Sequence, residues 1–316
     1  MSTQQKVDAL FEEQLAGWPL LRANRDQLGD ARVKQFGFRD FSIRAQFNPR
    51  RITSSAAKVD QDSIRMRPCF LCTENRPPEE KGVVFGPDYE ILCNPFPIFQ
   101  KHYTIARTVH TPQVIEPEFS RFLDLCRELP SLVVLYNGPS CGASAPDHMH
   151  FQAGTRGFMP IEDEMGALKK IYGSCIPGPD GFSFTAVSDG LRRFYLLESD
   201  SADRLTEAFM FISAFMRKLA GGQEPMLNIV AWYDSGWKVL VFPRGKHRPW
   251  QYFEEGTKNI LISPASVDLG GTMILPMEKD FNKLCREDIE DIFAQISLPE
   301  VQFNALNLLL KKRFGR

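Results

Sequence analysis

Two of the chain's five histidines stand one residue apart in Asn137-Gly-Pro-Ser-Cys-Gly-Ala-Ser-Ala-Pro-Asp-His-Met-His-Phe-Gln152. If a strand starts at His148, then His148, His150 and Gln152 share one face, because strand side chains alternate with a period of two. The turn before them is built of small residues. Backbone N–H groups between Gly142 and Asp147, including those of Ala143 and Ser144, can approach an anion closely there, and Ser144 adds a hydroxyl. A neutral imidazole beside a bound phosphate is a nucleophile at phosphorus. The expected chemistry is therefore nucleotidyl or phosphoryl transfer through a covalent histidine. His150 is the expected nucleophile, with Gln152 holding a phosphoryl oxygen. Without its partners, His150 would read as a satisfied structural histidine.

Cys69-x-x-Cys72 has the spacing of zinc ligands, and His110 and His148 are the candidates to complete a tetrahedral set. Four protein ligands leave no open position, so the zinc would be structural. Two other readings stand beside it, a dithiol redox pair and two buried cysteines. A redox pair normally opens a helix after a strand; here a Pro-Pro turn follows.

Asn94, in Asn94-Pro-Phe-Pro97, is placed to hydrogen-bond a ribose, or simply to make the turn before the next strand. Asn137 ends a strand and is placed to touch phosphate or ribose, or to form an Asn-Gly turn. Arg244-Gly-Lys-His-Arg248 offers Arg244 and Lys246 as a polyphosphate clamp, against the alternative of a solvated hairpin end. Arg50, Arg51 and Lys58 make the same case on a smaller scale.

The elements that must position these groups follow from periodicity. Leu10, Phe11 and Leu15 have helical spacing, and Phe41–Phe47 alternates like a strand. Strands are expected at Gly82–Phe85, Tyr89–Cys93, His102–Arg107 and Leu132–Tyr136, with a helix from Glu116 to Leu129. Later come a strand at Arg193–Leu197, a helix at Asp203–Lys218 capped by Ser201 or Asp203, and strands at Met226–Tyr233 and Trp237–Phe242. Asp234-Ser-Gly236 joins the last two as a hairpin turn. Further strands are expected at Asn259–Ser263 and Thr272–Leu275, and two helices separated by Pro299 between Arg286 and Phe314. The fold class is α+β: an antiparallel sheet with crossing helices over residues 1–160, and a second α+β unit over 161–316. No fixed-period repeat is visible.

The 316 residues carry 43% hydrophobic and 24% charged side chains and a net charge of -1. That balance argues against broad capture of nucleic acid or acidic membrane. No apolar run has the length of a membrane span, and the first residues lack a signal peptide's apolar core. Seven cysteines, an odd number, fit a reducing cytoplasm rather than a disulfide framework.

Tyr136-Asn-Gly138, Gly142-Ala-Ser144 and His148-x-His-x-Gln152 together resemble the histidine triad (HIT-like) superfamily, in particular the diadenosine tetraphosphate phosphorylases (ATP adenylyltransferases). Ile43-Arg-Ala, Ser54-Ser-Ala-Ala-Lys58, Leu92-Cys-Asn-Pro-Phe-Pro97 through His102-Tyr-Thr-Ile-Ala106, Asn228-Ile-Val to Val239–Arg244 and Ser266-Val-Asp-Leu-Gly-Gly271 extend the likeness outward. The resemblance implies a ping-pong reaction. His150 takes up a nucleotide from a dinucleoside polyphosphate, and inorganic phosphate removes it as a nucleoside diphosphate. The Cys69, Cys72, His110 and His148 set is more similar to the zinc site of galactose-1-phosphate uridylyltransferases. Hexose-1-phosphate uridylyl transfer and GDP-hexose phosphorolysis therefore stand as alternatives, and a non-catalytic nucleotide-binding module as one of another class.

Overall fold

The computed structural model of the protein describes residues 1–52, 56, 59–177 and 182–315. Its strands are β1 (Val33–Gly37), β2 (Ser42–Phe47), β3 (Gly82–Phe85), β4 (Tyr89–Cys93), β5 (His102–Arg107), β6 (Leu132–Asn137), β7 (His150–Thr155), β8 (Gly173–Pro177), β9 (Ser183–Ser188), β10 (Arg193–Ser199), β11 (Leu227–Tyr233), β12 (Trp237–Pro243) and β13 (Thr272–Leu275). Ten of them form one antiparallel sheet in the order β3-β4-β5-β7-β6-β11-β12-β10-β9-β8. β1, β2 and β13 form a smaller sheet, antiparallel between β1 and β2 and parallel between β2 and β13.

That order contains a repeat of topology which the sequence hides. Counted from either edge, three strands in chain order are followed by the fifth and then the fourth, and the two fourth strands, β6 and β11, meet in the middle. Each half also sends a helix between its third and fourth strands, Phe119–Glu128 in the first and Ala202–Leu219 in the second. The two helices touch through Phe119 and Phe209, stacked at 3.9 Å and 6°, a contact of about 0.5–1.5 kcal/mol beyond its area. The chain is a doubled α+β unit in one sheet. The boundary expected at residue 160 falls at the start of the helix Pro160–Tyr172, and the sheet runs on past it.

Both faces of the sheet are covered, which explains the unbroken apolar runs in its middle strands. β6 sends Val134 and Tyr136 into one core, under the helices Thr3–Gly17, Phe119–Glu128, Ala202–Leu219 and Glu300–Phe314. Val133 and Leu135 enter the other, with Ile43 and Ala45 of β2, Met273 of β13 and the helix Arg286–Ile296. β7 faces the same way: Phe151 and Ala153 pack into the first core, leaving His150 and Gln152 on the side of the small sheet.

Most expected elements form within a residue or two, and Ser201 caps its helix by accepting from Arg204 N. The expected strand at Asn259–Ser263 does not form. Its alternation comes from Ile260 and Ile262 entering the second core, while Leu261 N donates to Asp280 Oδ2 instead of to a strand partner. β7 begins at His150, two residues later than expected. Among the described residues, no helix is long and apolar enough to cross a membrane.

Candidate active site

β6 and β7 run together from Leu132↔Thr155 to Leu135↔Gln152 and then part. The loop between them, residues 138–149, turns through Gly142 at φ 93°. A Cβ there would lie 2.7 Å from the Cβ of Ala265, so only glycine lets this loop lie against that segment. His150 is opposite Ala106 on β5, whose small side chain leaves room for the imidazole.

His150 is 4% exposed and lines a cavity of about 780 Å³ together with Ser144, Gln152, Asn94 and Thr104. Its Nδ1 lies 2.8 Å from the carbonyl oxygen of His148, and a carbonyl only accepts, so Nδ1 carries the proton and Nε2 the free lone pair. Burial lowers the imidazole to about 4, which keeps it neutral near pH 7. Gln152 is oriented by His102. Ile98 N donates to His102 Nδ1 over 3.2 Å, so His102 Nε2–H donates to Gln152 Oε1 over 3.1 Å. With its oxygen engaged, Gln152 has its amide N–H2 to offer a phosphoryl oxygen. The apolar wall of the cavity includes Trp18, Leu20, Phe70, Leu71 and Phe96, flat and aliphatic surfaces suited to a base.

A second, polar cleft of about 50 Å³ adjoins the first. Arg51, Ser144 and Gln152 line both, and Asn137, Gly142, Ser263 and Asp268 line the second alone. Arg51 donates to Phe96 O over 3.1 Å and makes no ion pair among the described residues. Burial lowers it to about 10, and the charge of Asp268 partly offsets this. Arg67, also on the cavity wall, donates to Ser144 O at 3.3 Å and pairs with Asp147 at 3.1 Å. The sequence alone gives Arg51 little weight, offers no sign of Arg67, and marks His102 and Thr104 only as part of a strand. The basic run Asn48-Pro-Arg-Arg51 was the one available signal.

The other expected binding residues divide. Asn94 sits in the cavity, but its side chain also makes the turn, accepting from Phe96 N and donating to Thr104 Oγ1. Asn137 lines the small cleft while its Oδ1 accepts from Asn228 Nδ2, Ser266 N and Ser266 Oγ. Ala143 is buried behind the loop. Arg244 is not brought to the cavity. The residue is 2% exposed, and its guanidinium is spent on Asn228 Oδ1 and the carbonyls of Pro264, Ile296, Lys246 and His247. Lys246 is exposed and reaches Gln295. The expected clamp is instead a bracket for the loop that carries Pro264. Lys58 lies outside the described residues.

Cys69, Cys72, His110 and His148 converge, with one ligand atom from each within 4.8 Å of all the others. His148 Nδ1 lies 3.3 Å from Cys69 Sγ and 3.6 Å from Cys72 Sγ, and His110 Nδ1 lies 3.2 Å from Cys72 Sγ. Tetrahedral zinc with two thiolates and two imidazoles separates sulfur from nitrogen by roughly 3.6 Å. His148 Nε2–H donates to Arg107 O over 2.7 Å, which fixes the tautomer that presents Nδ1. Asp147 Oδ2 lies 3.7 Å from His110 Nε2. Burial, with Cys69 alongside, holds the Cys72 thiol up to about 11. Four soft or borderline donors turned on one point fit a divalent metal. His148 therefore lies in this cluster, while His150 and Gln152 line the cavity.

The fold defines a class: a histidine triad-like sheet in doubled form, whose second half has no histidine on β12, the strand matching β7. Solved structures of Ap4A phosphorylase have a similar chain path. The structure of yeast Ap4A phosphorylase Apa2 in complex with Ap4A is similar at TM-score 0.63 and 14% identity, over 95% of this chain and 99% of that chain. A second structure of the yeast enzyme gives 0.57 and 17%, over 89% and 98%. Its complex with AMP gives 0.54 and 16%, over 89% and 97%. Residues 10–155 match a family model described as a domain of unknown function (DUF4922), and residues 186–315 match the GDPGP1-like, C-terminal domain. None of the curated proteins matches the chain.

Proposed function

We propose that the protein is a nucleotidyltransferase of the phosphorylase type, acting on a dinucleoside polyphosphate through a nucleotidyl group carried on His150. The observation that carries this reading is the imidazole: its Nδ1–H is tied to His148 O, and the residue lines the cavity beside Ser144 and Gln152. In the first step Nε2 attacks the α-phosphorus, a P–N bond forms, and the bond from that phosphorus to the bridging oxygen breaks as the remaining nucleoside polyphosphate leaves. In the second, an oxygen of inorganic phosphate attacks the same phosphorus, the P–N bond breaks, and a nucleoside diphosphate departs. Gln152 and Ser144 hold non-bridging oxygens, and Arg51 balances charge at the junction of the two cavities. Asn94 and Asn137 contact ribose or phosphate from either side.

Cys69, Cys72, His110 and His148 would hold zinc, which supplies a cross-link between the Cys69–Cys72 turn and the start of β7 rather than chemistry at phosphorus. The free thiols of all seven cysteines suit a reducing cytoplasm. The test is phosphate-dependent release of nucleoside diphosphate from a panel of diadenosine tetraphosphate, UDP-hexose and GDP-hexose. Release from diadenosine tetraphosphate supports the reading. Release from a nucleotide sugar alone keeps the covalent step and replaces the substrate. Binding across the panel without turnover contradicts the reading.

A further inference from the structure

Where β6 and β7 part, a side chain fills the gap. Continued by two residues, the register Leu135↔Gln152 pairs Asn137 with His150. In their place stands the carboxamide of Gln113, 1% exposed. His150 N donates to Gln113 Oε1 over 2.8 Å, and Gln113 Nε2 donates to His150 O over 2.9 Å and to Asn137 O over 3.0 Å. The first two bonds are those a peptide group exchanges with its partner in an antiparallel pair, so the amide imitates a missing rung while holding the strands further apart. Gln113 is itself fixed. Its N donates to Pro146 O at 3.2 Å, and its O accepts from Tyr136 OH at 3.4 Å. It lies three residues beyond His110, in a segment whose Thr111 O accepts from Met149 N.

We propose that Gln113 is a positioning residue for transfer at phosphorus. It sets the backbone of His150 from both sides and keeps β6 and β7 apart at the point where the loop 138–149 opens into the cavity. The inference rests on His150 being the reacting group. An error in backbone placement at the nucleophile acts on the in-line step and little on binding, because reacting atoms need near-contact geometry and stacking on the apolar wall does not. A buried amide that served stability alone would instead lower binding and rate together.

The test uses the full chain and two variants. Gln113→Met keeps the volume and removes all three bonds. Gln113→Glu keeps the acceptor for His150 N–H and turns lone pairs toward Asn137 O and His150 O. For each, thermal unfolding, the equilibrium affinity for AMP, and the rate at which α-phosphate-labelled diadenosine tetraphosphate and GDP-hexose label the protein are measured. The expected result is an affinity within about threefold of wild type and labelling slower by about tenfold or more. A folded variant that labels at the wild-type rate, or loses affinity and rate in parallel, overturns the positioning role. If Gln113→Met does not fold, Gln113→Glu carries the same comparison. Failure of the wild-type protein to label with either probe would remove His150 as nucleophile, and this inference with it, a result distinct from a fast-labelling variant.

Discussion

His102 and Gln152 lie on neighbouring strands, and the imidazole Nε2–H of the first donates to the amide oxygen of the second over 3.1 Å. An amide can turn through half a circle at little cost, and only one of its two orientations gives phosphate a donor. His102 removes that freedom. Replacing it with Leu is expected to lower kcat by about ten- to a hundredfold, with a smaller change in KM, since the lost interaction is made mainly in the transition state. Steady-state kinetics of His102→Leu beside Gln152→Ala check this. Equal kcat in His102→Leu and wild type would rule it out.

The same histidine makes stability depend on pH. Burial, with Arg51 nearby, holds His102 down to about 3, against 6.5 for the exposed group. The unfolded chain thus takes up a proton below pH 6.5 that the folded chain refuses, and stability is lost as the pH falls from about 6.5 toward 3. Between pH 6.5 and 5 this one group contributes a loss of about 1.6 kcal/mol. Denaturant unfolding of wild type and His102→Asn should therefore diverge in slope over that interval. Parallel curves would show that His102 is not held neutral by the fold.

Arg51 lines both cavities and, among the described residues, forms no ion pair. A desolvated guanidinium in that position stabilises a bound anion by about 1.5–3 kcal/mol. Arg51→Met should accordingly weaken binding of AMP by roughly 10- to 150-fold while leaving that of adenosine within a factor of two. Isothermal titration with the two ligands makes the comparison. Equal losses for both would place Arg51 away from the phosphate.

The cysteine–histidine cluster predicts one zinc per chain in protein purified without chelator. Cys72→Ser should lower that content and the thermal midpoint together, because the metal would tie the turn at Cys69 to the start of β7. Asp147→Asn, altering the group 3.7 Å from His110 Nε2, should weaken zinc by about ten- to a hundredfold without abolishing it. Metal analysis during dialysis against a graded chelator reads both. Full zinc in Cys72→Ser would exclude this cluster as the site.

What could be read from the sequence was what is local in it. His150, Gln152 and the small-residue turn lie within one short stretch, so strand alternation and loop chemistry placed them beside the cavity. Cys69 and Cys72 are three residues apart in one turn, and their pairing with His110 and His148 needed only the two adjacent strands. The helpers were hidden because they act at a distance. Gln113 carries no motif and His102 marks only the start of a strand, and their roles exist only through the register of β5, β6 and β7. Arg244 misled for the opposite reason. A cluster of cations in sequence looked like a clamp, but an apolar strand delivered the first of them into the interior, where carbonyls consume it. The doubled topology was invisible because β12 is apolar where β7 carries His150 and Gln152, so side-chain pattern and chain path have diverged.

The proposed transfer requires Nε2 of His150 to bond to phosphorus. Wild-type protein mixed with α-phosphate-labelled diadenosine tetraphosphate, quenched at alkaline pH and digested, should yield one peptide carrying an acid-labile nucleotidyl group on His150. The His150→Asn protein, with an unchanged unfolding transition, should yield none. A wild-type protein that turns over substrate without ever carrying label, or a His150→Asn protein that carries as much, would contradict the central claim.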